Sequence, residues 1–384
     1  MPFSPECEDE SVPPRFTRAR YMQYPAHMRW SWILLIVVGC SRLEPMLPAG
    51  QSCRSTEIIA ADEGVPERVT WVEAPDTSDR RALDLWCETV GPAVLASKPA
   101  GADTGSVVAD SIAIVSWNTR VGGGDIARLV RDLRAGRFTN GDSVLHFVLL
   151  LQEVYRASDS LPSRLRIGVP ARIAAEPPGS ARRHDIVATA TALGLALLYV
   201  PSMRNGPPDS ASTAEDRGNA ILSTMELDDP RAIDLPFEVQ RRVVVTAELD
   251  GETVAGDDWE LEIASVHLDT RSRAARAAAS AGLGRRRQAM GMVDQLKGED
   301  ALVVAGDLNT WAPAIFERAL PFLRSVFTDS PRAIAEHTFE NGALRSRLDY
   351  MFFRLPDDWS ATYQRIGRQY GSDHYPLLGW VRFK

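Results

Sequence analysis

Lysine is nearly missing from this chain: Lys98, Lys297 and Lys384 are three among 43 basic residues. A bias toward arginine of that kind follows genome composition and carries no functional weight. Cysteine is scarce too. Its four positions, Cys7, Cys40, Cys53 and Cys87, all precede residue 110. The lack of any thiol beyond Cys87 excludes a cysteine nucleophile from the rest of the chain and argues against a thiolate zinc site there. No apolar run reaches the ~18–20 residues a spanning helix needs, which excludes a polytopic membrane protein. No internal repeat is visible. A basic excess is also missing: residues 1–109 hold 10 basic and 15 acidic residues, and residues 110–384 hold 33 and 36. Neither part has the charge of a protein that coats nucleic acid.

What is present is an ordinary globular balance over 384 residues, 45% hydrophobic, 24% charged and 8% aromatic, with a net charge of -8. That supplies core material for one large domain or two modest ones. Three segments follow from the local pattern. In residues 1–40, Met28-Arg29-Trp30-Ser31-Trp32 leads into Ile33-Leu34-Leu35-Ile36-Val37-Val38-Gly39-Cys40. A positive charge, a short apolar run and a small residue before a cysteine read as a secretory signal ending in a lipobox-like site, with Cys40 as the lipidated residue. The acidic stretch Glu6 to Glu10 does not suit a signal, so translation is expected to start at Met28, or alternatively Met22. An exported, membrane-anchored lipoprotein of the cell envelope is the expectation. Export into an oxidising compartment leaves Cys53 and Cys87 as one even pair; a disulfide and two separate thiols both remain open. Residues 41–109, rich in Pro, Gly, Ala and Asp, read as an N-terminal extension and linker. Within it, short patches around Val69–Val72 and Leu83–Trp86 suit strands or a helical turn.

From residue 110 the pattern becomes regular. Apolar runs of strand length recur at 112–117, 146–151, 219–222, 243–249, 261–266, 301–305, 348–353 and 377–381. Helical spacing appears over 125–133, over 186–193 after Asp185, and over 274–296. Strands interleaved with helices, apolar on both sides, predict an α/β domain with sheets covered on both faces.

Polar residues collect where these strands run out: Asn118, Glu153, Asn219, His267 with Asp269, Asp307 with Asn309, Asp349, and Asp373 with His374. Any one of them alone reads as a solvated surface residue. Seven strand ends in one domain read as a site. The series resembles the endonuclease/exonuclease/phosphatase superfamily, with its DNase I-like fold, over about residues 110–384. The resemblance implies an α/β four-layer sandwich of two packed mixed β-sheets flanked by helices, and a metal-dependent hydrolase of phosphoric esters. It implies that Glu153 is the principal metal carboxylate, with Asn118 and Asp373 in the metal group. It gives Asp307 the attacking water, Asn309 the phosphate or water, Asp349 and His374 an Asp–His pair, and His267 the additional histidine of the DNase- and sphingomyelinase-like branches. The implied cofactor is Mg²⁺, with Mn²⁺ or Ca²⁺ as alternatives.

The chemistry of these residue types agrees. Mg²⁺ prefers carboxylate and water oxygens and keeps several waters, so one or two protein carboxylates suffice. A histidine held by an aspartate has a fixed tautomer and a raised pKa. Arg217 suits either a substrate phosphate or a structural salt bridge. Arg204 and Asn205, in a rim loop expected at 201–206, are candidate substrate contacts. The runs Arg241-Arg242 and Arg285-Arg286-Arg287 read as solvated faces. The expected function is an exported, nuclease-like phosphodiesterase, monomeric, acting on nucleic acid. The alternatives are a lipid or inositol-phosphate hydrolase, or a non-catalytic surface-binding protein on the same fold.

Overall fold

The computed structural model describes residues 53–59, 68–101, 107–158, 161–162, 183–205, 214–270, 281–311, 315–329 and 336–384. Cys40 and the signal-like segment lie outside the described residues. The elements begin with β1 (Thr56–Ile58), β2 (Thr70–Val72), α1 (Thr77–Cys87) and β3 (Ala93–Ala96). Next come β4 (Ser111–Asn118), α2 (Ile126–Arg134), β5 (Phe147–Ala157), α3 (Ile186–Leu193), β6 (Ala196–Arg204) and β7 (Glu215–Ser223). They are followed by β8 (Asp228–Asp234), β9 (Val243–Glu252), β10 (Asp258–His267), α4 (Ala281–Gln295) and β11 (Leu302–Asp307). The last are α5 (Ala319–Val326), β12 (Thr328–Asp329), β13 (Phe339–Asn341), β14 (Leu344–Ser346), β15 (Asp349–Arg354), β16 (Ser360–Arg365) and β17 (Leu377–Arg382). None of the described helices is long and apolar enough to cross a membrane.

The strands form two mixed sheets, ordered β1-β3-β6-β7-β5-β4-β17-β16 and β12-β15-β11-β10-β9-β8-β2, and a separate β13-β14 hairpin. The period of two in the strands explains the layering. In β4, Ile112 and Ile114 face the other sheet and join one apolar cluster with Val245, Ile263 and Val303. The alternate residues Ala113, Val115 and Trp117 pack against Ile126, Leu129 and Leu133 of α2 and Ile186 of α3. On the far side of the second sheet, Val244, Ala264 and Val304 meet Met292 of α4 and Leu323 of α5. The result is helices, sheet, sheet, helices, as expected. Helix starts follow the side-chain caps: Asp125 accepts from Arg128 N, and Asp185 from Ala188 N.

Two readings of the sequence change here. Residues 53–101, expected as an extension, add edge strands to both sheets: β1 pairs with β3, β3 with β6, and β2 with β8. Their apolar runs are short because they lie at sheet edges, which hides them from a pattern search. Cys53 and Cys87 are joined in a disulfide, with Cα atoms 5.2 Å apart. The arginine runs are solvated only in part: Arg241, Arg242 and Arg285 are buried, whereas Arg286 and Arg287 are exposed. Arg241 is fully buried against Asp234 at 3.0 Å, and Arg285 against Glu317 at 2.6 Å. Charge in a sequence window cannot reveal a partner that arrives from another element.

Candidate active site

Register brings the site together. In the second sheet β10, β11 and β15 lie side by side, and His267, Asp307 and Asp349 stand opposite one another in a single row. In the first sheet Asn118 of β4 stands opposite Gln152 of β5. These rows face each other at one end of the inter-sheet core. Gly306 allows the second row: a Cβ there would meet Val266 O at 1.8 Å, so only glycine lets β10 and β11 close up beside Asp307. The floor is polar. Gln152 donates to Ser265 Oγ at 3.0 Å, and Asn219 donates to Val243 O at 2.8 Å, so side-chain amides stitch the sheets below the site.

The β-ladder breaks where the site needs a side chain turned. Between Leu151 and Val154 the pairing of β5 with β7 shifts register, and Glu153 takes a left-handed φ of 52°. Asn309, just beyond β11, has the same φ of 52°. Non-glycine residues in this region cost energy and collect at functional sites. The bulge re-aims Glu153 out of the alternation that buries Gln152, and its carboxylate remains partly exposed, 4.0 Å from Arg217 Nη1.

Asp307 is the hub. Its Oδ2 accepts from Asn118 Nδ2 at 3.0 Å and lies 3.5 Å from His267 Nε2 and 3.8 Å from His374 Nε2. Its Oδ1 accepts from Asn309 N at 2.8 Å. His374 is fixed from its other nitrogen, with Nδ1 2.8 Å from Asp349 Oδ2. Two histidines thus converge on one carboxylate, and the second is backed by another. The backbone of the His374 segment is also held: Trp117 donates to His374 O at 3.0 Å, and Ser372 donates to Asn118 O at 2.7 Å. Thr338 Oγ1 accepts from Leu348 N and Asp349 N, so the residue just before β13 buttresses the aspartate.

The electrostatics separate an acid from a base. Burial pushes the Asp307 carboxyl well above the usual carboxylate range, and Asp349 adds to the shift; the His374 charge and the Asn donors offset only part of it. Burial alone would strip the His374 proton, but Asp349 and then Asp307 outweigh it and hold the imidazole well above its ordinary value.

Asp307, Asp349 and His374 present ligand atoms within 4.8 Å of one another. Asp349 Oδ1 is buried with no hydrogen-bond partner among the described residues. The two carboxyl groups offer hard oxygens, one of them unspent, while His374, held protonated, offers no lone pair. This donor set fits a divalent cation such as Mg²⁺.

The remaining expected site residues fall in three places. The Asn118 side chain is engaged at both ends, its nitrogen by Asp307 and its oxygen by Arg120 N at 2.9 Å, so it orients Asp307. Asp373 lies at the rim, 3.4 Å from Arg120 Nε and 3.4 Å from Asn341 Nδ2. Arg204 closes β6 instead of standing in a rim loop, and Asn205 follows it; both are buried. Gln152, Asn219, Ser265 and Thr338 act as the site's frame. Gln152 and Asn219 belong to the polar strand ends, a signal that the sequence does carry; Ser265 and Thr338 have none.

The sequence pattern of the endonuclease/exonuclease/phosphatase family matches residues 115–374. The chain belongs to that family. Membership makes it a hydrolase acting on phosphoric ester bonds. Among solved structures, an endonuclease/exonuclease/phosphatase from Beutenbergia cavernae is 18% identical, covers 71% of this chain and 72% of its own, and has a TM-score of 0.48. A 3'-5' exonuclease from Neisseria meningitidis is 15% identical over 71% of this chain and 99% of its own, with a TM-score of 0.41. Sphingomyelinase C from Streptomyces griseocarneus is 16% identical over 71% and 99%, with a TM-score of 0.37. No curated protein matches the sequence. For a phosphoric ester hydrolase, the row of His267, Asp307 and Asp349, joined by His374, places a buried carboxylate between two imidazoles, a geometry suited to a water and a phosphoryl group.

Proposed function

We propose that this family member is an exported, lipid-anchored phosphodiesterase with nuclease-like chemistry that works with Mg²⁺. The observation that carries the reading is Asp307 between His267 and His374, with Asp349 behind His374. In this reading Asp307 orients the attacking water and takes its proton as the oxygen bonds to phosphorus. The bond to the leaving oxygen then breaks, and its electron pair stays on that oxygen. Protonated His374 donates through Nε2 to a phosphoryl oxygen, and Asp349 keeps it protonated and correctly turned. His267 flanks the phosphoryl group from the β10 side. Glu153, with Arg217 beside it, and Asp349 are the residues that would hold the cation, and Asp373 holds Arg120 at the rim. Bound Mg²⁺ supplies charge neutralisation at the phosphoryl oxygens.

The test is an Mg²⁺-dependent screen of residues 41–384 against plasmid DNA, RNA, sphingomyelin, inositol phosphates and bis-p-nitrophenyl phosphate. Cleavage of DNA or RNA is the expected result. Turnover of only sphingomyelin or inositol phosphates would replace nuclease-like chemistry with lipid or inositol-phosphate hydrolysis, and no turnover at all would favour a binding role. For the anchor, Cys40→Ser is expected to abolish lipid labelling and release the protein from the membrane fraction. Unchanged fractionation would remove the anchor from the proposal.

A further inference from the structure

Asn309 is held more tightly than a residue that merely follows a strand. Its backbone N donates to Asp307 Oδ1 at 2.8 Å, its Nδ2 donates to Leu268 O at 2.9 Å, and its Oδ1 accepts from Trp311 Nε1 at 2.9 Å. An amide has two faces that differ only in which end donates. If the Asn309 amide turned over, Nδ2 would face the indole N–H, donor against donor, and Oδ1 would face the Leu268 carbonyl, acceptor against acceptor. The two contacts therefore select one orientation, and among the described residues it leaves a single donor unspent: the second N–H of Nδ2.

Trp311 is an unusual residue to provide that contact. The residue is 42% exposed, so burial does not account for a tryptophan here. Its polar edge points inward to Asn309, while its ring packs edge-on against Phe339 at 4.8 Å between centroids. Phe339 in turn packs edge-on against the His374 ring at 5.0 Å. One side chain thus connects the asparagine and the histidine that stand on either side of Asp307.

We propose that Trp311 is a positioning residue: its indole N–H locks the Asn309 amide so that its free N–H donates to a phosphoryl oxygen, and its ring, through Phe339, holds His374 in place. The proposal rests on the phosphodiesterase reading for its chemical role, but the contact itself does not. Removing the indole N–H while keeping an aromatic ring leaves the Leu268 carbonyl as the only constraint on the amide. A share of the enzyme then presents an oxygen to the phosphoryl group, and that share is inactive.

The experiment is a double-mutant cycle on bis-p-nitrophenyl phosphate with Mg²⁺, using the wild type, Trp311→Phe, Asn309→Ala and the double variant. Trp311→Phe is expected to lower kcat about tenfold while KM changes less than about threefold, because the lost interaction is one made in the transition state. Asn309→Ala is expected to lower kcat about 10²-fold, the scale of one lost hydrogen-bond donor. In the Asn309→Ala background, Trp311→Phe should have no further effect beyond about twofold, since the two residues act as one unit. An undiminished kcat in Trp311→Phe, or a full second loss in the double variant, would overturn the proposal. A readout independent of turnover is hydrogen exchange of the Trp311 indole N–H by ¹⁵N NMR. It is expected to be slow in the wild type and faster in Asn309→Ala; equal rates would overturn the lock. If the wild type cleaves no phosphoester yet the exchange responds to Asn309→Ala, the lock stands and the phosphodiesterase reading falls.

Discussion

Glu153 and Asp349 carry separate parts of the site's charge, and their variants separate its functions. Glu153→Gln removes one charge and keeps the shape of a side chain that is partly exposed and set by a bulge. A rate loss of at least about 10²-fold is expected, with little change in melting temperature, as for an electrostatic transition-state contribution. Full activity in the purified variant would remove Glu153 from the site. Asp349→Asn acts through His374. The carboxylate is what raises the imidazole against burial, so its loss lowers the pH at which His374 gives up its proton. The alkaline limb of the pH–rate profile should therefore move to lower pH, with kcat reduced at every pH. A profile that keeps its alkaline limb would show that His374 is not the group titrating there.

At the scale of elements, β10 carries a second buried acid far from the chemistry. Glu262 stands opposite Glu248 and Leu302 and pairs with Arg231 at 2.8 Å. Burial raises its pKa from 4.5 to about 7, and the Thr246 and Arg231 contacts offset only part of that. The folded protein thus holds this proton up to about pH 7, whereas the unfolded chain releases it near 4.5. Stability from this group is complete below pH 4.5 and is lost as pH rises toward 7. Glu262→Gln should flatten that part of the stability curve and raise the melting temperature near neutral pH relative to the wild type. Identical curves for the two proteins between pH 5 and 8 would show that the strand stabilises the charged form.

At the scale of the whole molecule, the Cys53–Cys87 disulfide closes a 34-residue separation that spans edge strand β1, edge strand β2 and helix α1. Arg54 continues the connection inward, to Asp84 at 2.9 Å and to Asp234 at 3.1 Å, and Asp234 also holds Arg241. Arg241 donates to Pro201 O at 2.8 Å in the opposite sheet. Loop-closure entropy for such a link is about 3–4 kcal/mol. Cys53→Ser with Cys87→Ser should shift the denaturation midpoint downward by an amount on that scale, while activity at low temperature persists, because no catalytic group lies in the linked segment. An unchanged midpoint would mean that the packed edge strands hold the segment without the bond.

The order and spacing of polar residues at strand ends carried the family resemblance, and the two-sheet sandwich followed from that resemblance; the local pattern by itself gave an α/β domain. Continuous apolar runs mark strands covered on both faces, and a polar residue after each marks the end at which a site can form. Asn118, Glu153, His267, Asp307, Asp349 and His374 are all legible this way. The sequence could not show which of them touch. Register decided that His267, Asp307 and Asp349 share one row, and a bulge decided where Glu153 turns. Pairing between elements far apart in the chain decided that Asp373 meets Arg120 at the rim, that Arg241 and Arg285 are buried, and that the segment before residue 110 completes both sheets. These outcomes rest on contacts between separate elements, most of them tens to hundreds of positions apart. Local propensity carries no information about them, because a buried charge and a solvated one look alike until the partner is in place.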